Sequence, residues 1–578
     1  MKKMVMNKKL DLDNLSLDER ILMEQVNDDI KQDFHRLMEA IHCRAGNSAF
    51  WGVNNLLSRN NYVSDLFYDL CCLELSRRLV EKGRAKTVIV RSSRQKKVLE
   101  QYFRRHRLRA DIRSREGLVA FLKRAGKPVY DFLRNIQWTF VYLMQRDRSR
   151  MRRIPRDRKL ILIDTFFSAY IFKSGEFKDR YYTGLIDFLT PEEQARVYFM
   201  PNVISWRRVD RMIRMGEAAR ENFIYPFDFL KFRDYLFAVF APFFIKRIFL
   251  GDFRFRGMCI GPILKSDFKT NIALRSSFRG LLLYRFFKRL KKENIKLHMV
   301  VDWFENQVVD RGFNKGKNEF FPETPSIGYQ GLIAAYKWNF YVQPIEPEAG
   351  SGCLPRKVAV IGEGLVSIAK KYYPGLDVIA VPGFRFAGIR KTGIKKTETF
   401  NTREPTVLVA LPIWESDSLD IVGLLVQVLD LLSGRQVKVL VKPHPDLDFD
   451  MVRSGIPNWP EQFKVIEGDF ADTIQRADLL ISSGSTVCME SIAYGVPVIV
   501  VGSRTGVTKN VIPETISKKI WDLCYTEDDI RSALNRLCLN LKPEDAAAFS
   551  RLARQVRDDF FKPATRKGVE AMLMLDKI

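Results

Sequence analysis

Short apolar runs alternate with amphipathic helical stretches along almost the whole chain. This alternation is typical of parallel β-sheets with helices on both faces, because each parallel connection needs a crossover that is usually a helix. The strand-length runs are KTVIVRSS (86–93), KLILIDTFF (159–167), KLHMVVDWFEN (296–306), TPSIGYQGL (324–332), KVAVIGEG (357–364), DVIAVPG (377–383) and, after residue 405, TVLVALPI, VKVLV, FKVIEG, DLLISS and PVIVVG. The pattern predicts an α/β fold with two tandem Rossmann-like, doubly wound parallel-sheet domains facing a cleft.

Changes in polarity suggest where these domains begin and end. Residues 387–404 are polar and without periodicity, which predicts a linker. Before it we expect a helical extension over 1–85 and a Rossmann-like domain over 86–386 with amphipathic insertions. After it we expect a second Rossmann-like domain over 405–578. A chain of 578 residues is long enough for this number of parts.

The positive charge of the chain is concentrated in its first part. Positions 405–578 contain 20 Lys and Arg against 24 Asp and Glu, whereas positions 1–404 contain 75 against 44. This excess predicts an anionic partner for the first part: nucleic acid, a membrane surface or a phosphorylated substrate. No RNP, KH, zinc-finger or helix-turn-helix pattern occurs, which argues against nucleic acid.

Two segments of the first part combine apolar and basic side chains. The first, VYDFLRNIQWTFVYLM, places five apolar residues on one helical face: Val129, Leu133, Ile136, Phe140 and Leu143. Eight of the next fourteen residues, 146–159, are basic. The second contains a ten-residue apolar run, 236–245, about half the length of a bilayer span, followed by Lys and Arg. We expect both to be membrane-interface helices on an anionic membrane surface; the alternative is core helices with solvated basic flanks.

Two negative features predict the cellular compartment. The eight cysteines are scattered without a CxxC pair, which predicts reduced thiols, no zinc site and a cytoplasmic chain. The first twenty residues contain no apolar run that would make a signal peptide, so none is expected.

The run VKVLV ends in Lys442-Pro443-His444-Pro445. Because proline cannot continue a central strand, the strand must stop there and carry Lys442 and His444 to its carboxyl end. Open parallel sheets bind ligands beyond those ends. Considered without any other motif, His444 could equally be a loop histidine that caps a neighbouring carbonyl.

About forty residues further on, a second strand ends in small residues and a helix begins. The small residues are Ser482, Ser483, Gly484, Ser485 and Thr486. This segment is a candidate phosphate-binding site, because it offers hydroxyl groups, free backbone N–H groups and the positive end of the helix dipole. An ordinary helix N-cap with a tight turn would have the same sequence pattern. Glu490, one turn into the helix, could accept hydrogen bonds from ribose hydroxyls.

The pairing of KPHP with SSGSTVCMESIAYGVPVIVV resembles the HP motif and Ser/Thr motif of GT-B-fold glycosyltransferases of bacterial surface and capsular polysaccharide synthesis. That group includes bacterial sialyltransferases, 3-deoxy-manno-octulosonate (Kdo) transferases and CDP-glycerol polymerases, which use cytidine-nucleotide donors. The resemblance covers roughly 405–540. A weaker one covers 296–332, where VVDWFENQ and SIGYQG are similar to ENQ and GYQH stretches of capsule-type proteins. Gly331 stands where histidine is frequent, so no role of that histidine is carried over.

The resemblance implies roles for several residues. His444 would contact the donor phosphate and assist departure of the nucleotide, which suits a group that donates a hydrogen bond near neutral pH. Ser485 and Thr486 would seat the same phosphate, and Glu490 would bind the ribose. The other donor-binding candidates are Lys442, Pro443, Ser482, Ser483 and Gly484.

A transferase also needs a base for the acceptor hydroxyl. The best candidate is Glu305, at the carboxyl end of the strand in VVDWFENQ; Asp302 is the second choice, and it could instead point into the sheet. Glu305 could also merely cap the following helix. Arg385 could reach a donor carboxylate or an acceptor phosphate. The letters DLD, from Asp446 to Asp448, match a DxD pattern. They follow Pro445 in a loop, and we interpret them as solvated surface.

These features together predict a metal-independent glycosyltransferase with no cofactor beyond its nucleotide-activated sugar, which would be CMP-linked, as sialic acid or Kdo is. Its acceptor would be a lipid-linked or membrane-anchored glycan, and it would be peripheral on the inner face of the bacterial cytoplasmic membrane. Two alternatives stay open: a CDP-alcohol-dependent polyol-phosphate transferase and a catalytically inactive GT-B-like scaffold of a polysaccharide assembly complex.

Overall fold

The computed structural model describes residues 9–167, 169–395 and 404–577. Within these residues the strands form three parallel sheets and one antiparallel hairpin. In chain order the strands are β1 (Lys9–Asp11), β2 (Thr87–Val90), β3 (Asp111–Ser114), β4 (Lys159–Phe166), β5 (Val197–Asn202), β6 (Asn222–Phe223), β7 (Arg254–Phe255), β8 (Met258–Cys259), β9 (Lys296–Trp303), β10 (Ser326–Gln330), β11 (Lys357–Val360), β12 (Val378–Ala380), β13 (Thr406–Ala410), β14 (Lys438–Lys442), β15 (Phe463–Val465), β16 (Leu479–Ser482), β17 (Val498–Val501) and β18 (Trp521–Cys524).

Helices connect most of these strands. Up to β9 they are α1 (Leu17–Ala45), α2 (Ala49–Gly52), α3 (Asn55–Ser58), α4 (Leu66–Glu81), α5 (Ser93–Arg105), α6 (Leu118–Met144), α7 (Arg148–Arg153), α8 (Ala169–Ser174), α9 (Pro191–Gln194), α10 (Val209–Ala218), α11 (Pro226–Phe229), α12 (Phe232–Val239), α13 (Ala241–Phe244), α14 (Gly261–Thr270) and α15 (Arg275–Lys292). After β9 they are α16 (Val308–Phe320), α17 (Glu346–Gly350), α18 (Val366–Ala369), α19 (Ala387–Lys391), α20 (Glu415–Gln427), α21 (Leu429–Gly434), α22 (Phe449–Ser454), α23 (Phe470–Ile474), α24 (Val487–Tyr494), α25 (Glu527–Leu534), α26 (Pro543–Phe560) and α27 (Arg566–Leu573).

Two large parallel sheets form the centres of two domains. The first has the strand order β12-β11-β10-β9-β4-β5-β6, and the second has the order β15-β14-β13-β16-β17-β18. Alternate residues of β4 pack into different apolar cores, Ile161 and Ile163 on one face and Leu160 and Leu162 on the other, as expected where helices cover both faces. The predicted pair of Rossmann-like, doubly wound domains is confirmed.

A third, smaller sheet lies near the N-terminus. Strands β1, β2 and β3 run parallel in that order, and with their helices they have a separate apolar core. We call residues 9–116 the N-terminal lobe. The run KTVIVRSS is a strand as predicted, but it pairs within this lobe and not in the seven-stranded sheet. A four-residue apolar strand suits any parallel sheet, so its sequence does not tell which sheet it joins.

The two amphipathic segments lie side by side on the surface. Of the 27 residues of α6, only Asn135 and Trp138 are buried. The apolar face predicted for this helix is exposed, with Phe140 at 64%. The rings of Phe240 and Phe243, from the second segment, lie 5.9 and 6.0 Å from that of Phe132. We call the exposed apolar side chains of α6, α12 and α13 the apolar patch. Among the described helices, none is long and apolar enough to cross a membrane.

The end of the chain returns to the first domain. The N–H group of Lys562 donates to the carbonyl of Ile361 at 2.8 Å, and its own carbonyl accepts from Gly383 at 2.9 Å. His298 Nε2 lies 3.0 Å from the carbonyl oxygen of Met574. Part of the segment predicted as a linker forms α19, and its residues 396–403 lie outside the described residues.

The loop after β9 rests on the closest helix pair in the first domain. Helices α15 and α16 approach so nearly that a Cβ atom on Gly312 would lie 2.1 Å from the carbonyl oxygen of Gly280. Only glycine allows two backbones to come this near. The contact fixes α16, and therefore the Glu305-to-Gln307 loop that precedes it, against the sheet.

Candidate functional site

The strand order places the predicted motifs where parallel sheets bind ligands. In the second sheet the order reverses between β13 and β16, and the crevice beyond the carboxyl ends at such a point is the usual ligand site. Ser482 ends β16, and His444 follows β14, which is separated from β16 by β13 alone. In the first sheet the reversal lies between β4 and β9, and Glu305 follows β9.

The ring of His444 is held in one tautomer. Its Nδ1 atom accepts the backbone N–H of Asp446 at 3.1 Å. Because that N–H can only donate, the proton of the neutral ring must be on Nε2. Burial lowers the pKa of His444; the carboxylate of Asp446 opposes this, while the positive charges of Arg180 and Arg385 add to it. His444 is therefore a neutral donor through Nε2. The ring caps no carbonyl in this arrangement.

Two arginines of the first domain reach the second. Arg180 and Arg385 act on His444, and both also act on Glu490. Burial raises the pKa of Glu490, and the two guanidinium groups oppose this. Burial lowers the pKa of Arg385, as does the like charge of Arg180, while Glu490 counteracts both. The same two cations thus act on a carboxyl group and on an imidazole of the second domain.

The Ser/Thr loop has fewer free groups than its sequence suggests. Ser482 is fully buried and its hydroxyl donates to the carbonyl of Ala410 at 2.7 Å, which ties β16 to β13. Ser483 is buried at 4% exposure. Gly484 has a left-handed backbone (φ 64°) and lies against Lys509, where a Cβ atom would meet the Lys509 Cβ at 2.9 Å. Ser485, half-buried, has the hydroxyl best placed to meet a ligand.

Thr486 and Lys442 already have partners. The hydroxyl of Thr486, the N-cap residue of α24, lies 3.4 Å from the carbonyl oxygen of Ile333 in the first domain. The ammonium of Lys442 donates to the carbonyl of Gly468. Burial lowers the pKa of Lys442, against the charges of Asp469 and Glu467. The ammonium of Lys442 is therefore already engaged at Gly468, and Pro443 beside it is half-buried.

Glu305 belongs to the first domain, and its carboxylate accepts a hydrogen bond at each of its two oxygens. The indole of Trp303 donates to Oε1 at 2.9 Å, and the side-chain amide of Gln307 donates to Oε2 at 2.6 Å. The helix α16 is capped by Gln307 and Asp310, and Asp310 accepts the backbone N–H groups of Glu305 and Gln307 at 2.9 and 3.0 Å. Glu305 is therefore no helix cap, and its carboxylate has a fixed orientation.

The neighbouring Asn306 is structural. It has a left-handed backbone (φ 56°), which asparagine tolerates better than most residues. Its buried amide donates to the carbonyl of Tyr341 at 2.8 Å and to the carboxylate of Glu348 at 2.9 Å. Arg59 of the N-terminal lobe binds the same carboxylate at 2.9 Å. Within the ENQ stretch, Gln307 thus holds the carboxylate of Glu305, and Asn306 fixes the backbone between them.

Asp302 points into the sheet. It is 1% exposed and accepts the side-chain amide of Asn314 at 2.6 Å. Burial raises its pKa well above the ordinary value, and the carboxylates of Asp310 and Asp164 add to this. Burial also raises the pKa of Asp310 to about 7. Asp302 therefore does not face the cleft and is a poor alternative to Glu305.

Gly331 has a steric reason for being glycine. A Cβ atom there would lie 2.5 Å from the indole of Trp303 and 2.6 Å from the ring of Tyr329. Since Trp303 is the residue that holds Glu305, the space that a histidine would need is already occupied in this chain. Trp303 therefore accounts for both features: it fills the space beside Gly331, and it donates a hydrogen bond to Glu305.

An aromatic pair bounds the cleft and was missing from the sequence prediction. Trp414 follows β13 and is 40% exposed, and it stacks on Tyr62 with ring centroids 5.3 Å apart. The ammonium of Lys509 lies 5.0 Å from the Trp414 ring and 2.8 Å from Asp417. Partial burial raises the pKa of Tyr62 to about 12, and the carboxylate of Glu305 contributes. Only the order PIW after a strand could have indicated Trp414; nothing in the sequence singles out Arg180 or Tyr62.

No cluster of His, Cys, Asp and Glu that could hold a metal ion occurs within the described residues. Asp446 and Asp448 are exposed, and Asp448 caps α22. The second domain contributes His444 and Glu490 to the crevice between the domains, and the first domain contributes Glu305, Arg180 and Arg385. This is the GT-B arrangement predicted from the sequence.

No protein-family model matches the chain, and no curated protein matches it by sequence. Similar solved structures include the MnaA–UDP complex of S. aureus (12% identity, TM-score 0.40, 73% of this chain and 98% of that one). UDP-GlcNAc 2-epimerase of Neisseria meningitidis bound to UDP-GlcNAc has 12% identity and a TM-score of 0.39, over 72% and 99%. MurG of Acinetobacter baumannii has 11% identity and a TM-score of 0.35, over 73% and 100%. Likenesses at this level do not bear on the activity of this chain.

Proposed function

We propose that the chain is a glycosyltransferase that moves a sugar from a nucleotide-activated donor, CMP-linked, to a glycan acceptor anchored in a membrane. The observation that supports this best is that Arg180 and Arg385 of the first domain act on both His444 and Glu490, which follow the carboxyl ends of β14 and β16 in the second sheet, while Glu305 acts on Arg385. Cations and a neutral N–H donor suit a phosphate whose negative charge grows, and a held carboxylate suits a hydroxyl that must lose its proton.

The reaction follows from this placement. The bond between the anomeric carbon and the phosphate oxygen breaks, and both electrons stay on the phosphate. His444 Nε2–H and the two guanidinium groups stabilise that charge. The acceptor oxygen forms the new bond to the anomeric carbon while its proton passes to Glu305. Glu490 accepts hydrogen bonds from the ribose hydroxyls, and the Trp414 ring at the entrance offers an apolar face for a sugar or base.

The apolar patch supports a position on the membrane. Its exposed side chains include Phe140 at 64%, Phe243 at 71% and Phe244 at 64%, far more apolar area than isolated surface residues present. Basic residues surround it, including Lys246 and Arg247 directly after α13. Apolar area beside positive charge is the chemistry of an interface with anionic lipids. We place this surface on the inner face of the bacterial cytoplasmic membrane.

Nucleotide binding tests the donor. Calorimetry with CMP, CDP, UMP, UDP and GDP, each with and without a chelator, should show the tightest binding for CMP or CDP and no loss on chelation. A preference for UDP or GDP would overturn the cytidine assignment, and loss of binding with chelator would overturn metal independence. Product analysis then separates sugar transfer, which leaves CMP, from polyol-phosphate transfer, which breaks a diphosphate. Binding without any transfer would favour a scaffold.

A further inference from the structure

A second cleft lies beside the crevice described above, and Tyr62 borders both. It is a cavity of about 490 Å³ between the N-terminal lobe, α6 and α14, within the range of small-molecule sites. The carboxyl ends of β1, β2 and β3 open into it, with Asp13, Arg91 and Arg115 following the three strands. The cavity therefore occupies the position at which a parallel sheet binds a ligand.

Five basic side chains line this cavity: Arg91, Arg94, Arg115, Arg124 and Lys127. Four of them have carboxylate partners, which are Asp13 for Arg91, Asp11 for Arg115, Glu116 for Arg124 and Asp131 for Lys127. Arg94 differs. It donates to the hydroxyl of Ser266, and no carboxylate of the described residues lies within 4.0 Å of its guanidinium.

The surroundings of Arg94 favour an incoming anion. Its guanidinium is half-buried on the first turn of α5, a helix of 13 residues, so the positive end of that helix points toward the cavity. Burial lowers the pKa of Arg94, and the like charge of Arg124 lowers it further, while the carboxylates of Glu116, Asp69 and Asp267 act in the opposite direction. A phosphate anion between these two cations would relieve their repulsion and could accept a bidentate pair of hydrogen bonds from Arg94.

Carboxylates in the same cavity favour hydroxyl groups. Asp65, Asp69 and Asp267 line the cavity without an ion pair among the described residues. Asp69 accepts the amide of Gln95 at 2.8 Å, and Asp267 has one buried oxygen without a hydrogen-bond partner in the described part of the chain. Burial raises the pKa of Asp69 to about 7 and of Asp267 to about 6. Acceptors in this position suit the hydroxyls of a polyol or sugar.

We propose that this cavity is a second binding site, for a phosphate monoester or diester that also carries hydroxyl groups, with the phosphate on Arg94 and the hydroxyls on Asp65 and Asp69. The ligand is either a soluble sugar phosphate or the headgroup of a phospholipid, since Arg124 and Lys127 belong to α6, whose outer face is part of the apolar patch. This site does not depend on the proposed transfer reaction.

Calorimetry on the full chain tests the chemistry. Glucose 6-phosphate should bind saturably and more tightly than inorganic phosphate, and glucose alone should not bind. Arg94→Gln should weaken glucose 6-phosphate at least tenfold. Arg104→Gln, an exposed position on the same helix, should not. Equal effects of the two variants, or binding that never saturates, would overturn the proposal.

Two further variants keep the test decisive. Ala120→Trp adds bulk to the cavity wall from an exposed position without changing charge, and it should abolish binding even if Arg94→Gln does not fold. His444→Ala should leave this binding unchanged, so failure of the donor site and failure of this site are distinguishable. Retained glucose 6-phosphate affinity in Ala120→Trp contradicts the assignment.

Vesicles distinguish the two sources of the ligand. If vesicles of phosphatidylglycerol bind less to Arg94→Gln than to Arg104→Gln, and glucose 6-phosphate competes with them, the headgroup is the ligand. If vesicle binding ignores both while the soluble phosphate is lost in Arg94→Gln, the ligand is soluble. If neither probe responds to Arg94→Gln, the site is not an anion site.

Discussion

A histidine can assist a departing phosphate only if the ring nitrogen that faces it carries a proton. The N–H of Asp446 secures this for His444 by occupying Nδ1. The two prolines beside His444 limit the backbone conformations of the loop, so little further ordering is needed on binding. The tautomer and the backbone of His444 are thus set by its neighbours in sequence. For this reason the KPHP sequence alone was enough to select His444 as a candidate.

The first prediction concerns His444→Ala. Turnover should fall on the order of a hundredfold with the fold intact, because one donor to a growing phosphate charge is typically worth about 3 kcal/mol. Nucleotide affinity should also weaken, since the ground-state phosphate is already anionic. Steady-state kinetics and calorimetry measure both. His106→Ala, an exposed histidine directly after α5, is the control and should change neither. Near-native turnover in His444→Ala would remove this residue from the mechanism.

The second prediction separates the acceptor side from the donor side. The single side-chain oxygen in Glu305→Gln can still accept one of the two hydrogen bonds that Trp303 and Gln307 donate to Glu305. Nucleotide binding should be unchanged. Transfer should be lost, because an amide cannot take the acceptor proton. Donor hydrolysis by water, measured as nucleotide release without acceptor, should persist. The exposed Glu323→Gln serves as control. If Glu305→Gln transfers sugar at a near-native rate, the base lies elsewhere.

At the scale of elements, the loop from β9 to α16 has an electrostatic cost. Asp310 holds both backbone N–H groups on one oxygen, Oδ2. Burial raises its folded pKa from 3.8 to about 7. The unfolded chain therefore releases this proton first, and the free energy of unfolding should fall as pH rises through the window from about 4 to 7. The slope for one group is at most about 1.4 kcal/mol per pH unit.

The third prediction uses this sign. Asp310→Asn preserves an acceptor oxygen but cannot ionise, so its stability relative to the parent should increase from pH 5 to pH 8. Urea unfolding at both pH values measures the difference. Asp448→Asn, an exposed cap of α22, should show no such trend. An unchanged difference between the two pH values would mean that Asp310 is ionised in the folded chain throughout.

The elements also show where sequence reasoning reached its limit. The strands of both large sheets and the positions of His444, Ser485 and Glu490 followed from local patterns, because a buried strand and the residues after it are adjacent in sequence. Arg180 could not be found in this way, since it lies in a segment without strand or helix periodicity and reaches the site only through tertiary packing. The same holds for β2, whose sheet is chosen by long-range partners, and for the commitment of Ser482 to Ala410.

At the scale of the whole molecule, α6 and α12–α13 fix which face would meet a membrane. The fourth prediction is that the chain binds vesicles of anionic lipid at low salt and releases them as salt rises, because charges are screened beyond about 10 Å at 0.1 M. Phe140→Ser with Phe243→Ser should reduce partitioning at least tenfold, as each phenyl group contributes roughly 1.5–3 kcal/mol when buried. Vesicle sedimentation measures this.

The control for that prediction is Val465→Ser, an exposed apolar side chain (44%) on the second domain. It should partition like the parent chain. If the parent stays in the supernatant with anionic vesicles at low salt, the apolar patch does not face lipid. Equal losses in the control and in the double variant would mean that the substitutions act on folding and not on a particular face.

The return of Lys562 to Ile361 and Gly383 joins the two large domains a second time. The polypeptide passes between them once between Lys391 and Glu404 and again near Phe561, so two covalent connections join them. Two connections leave the domains fewer ways to move relative to one another than a single linker would. We therefore expect any change in the width of the crevice to be a rotation about the line through the two connections, which would change the separation of Glu305 and His444.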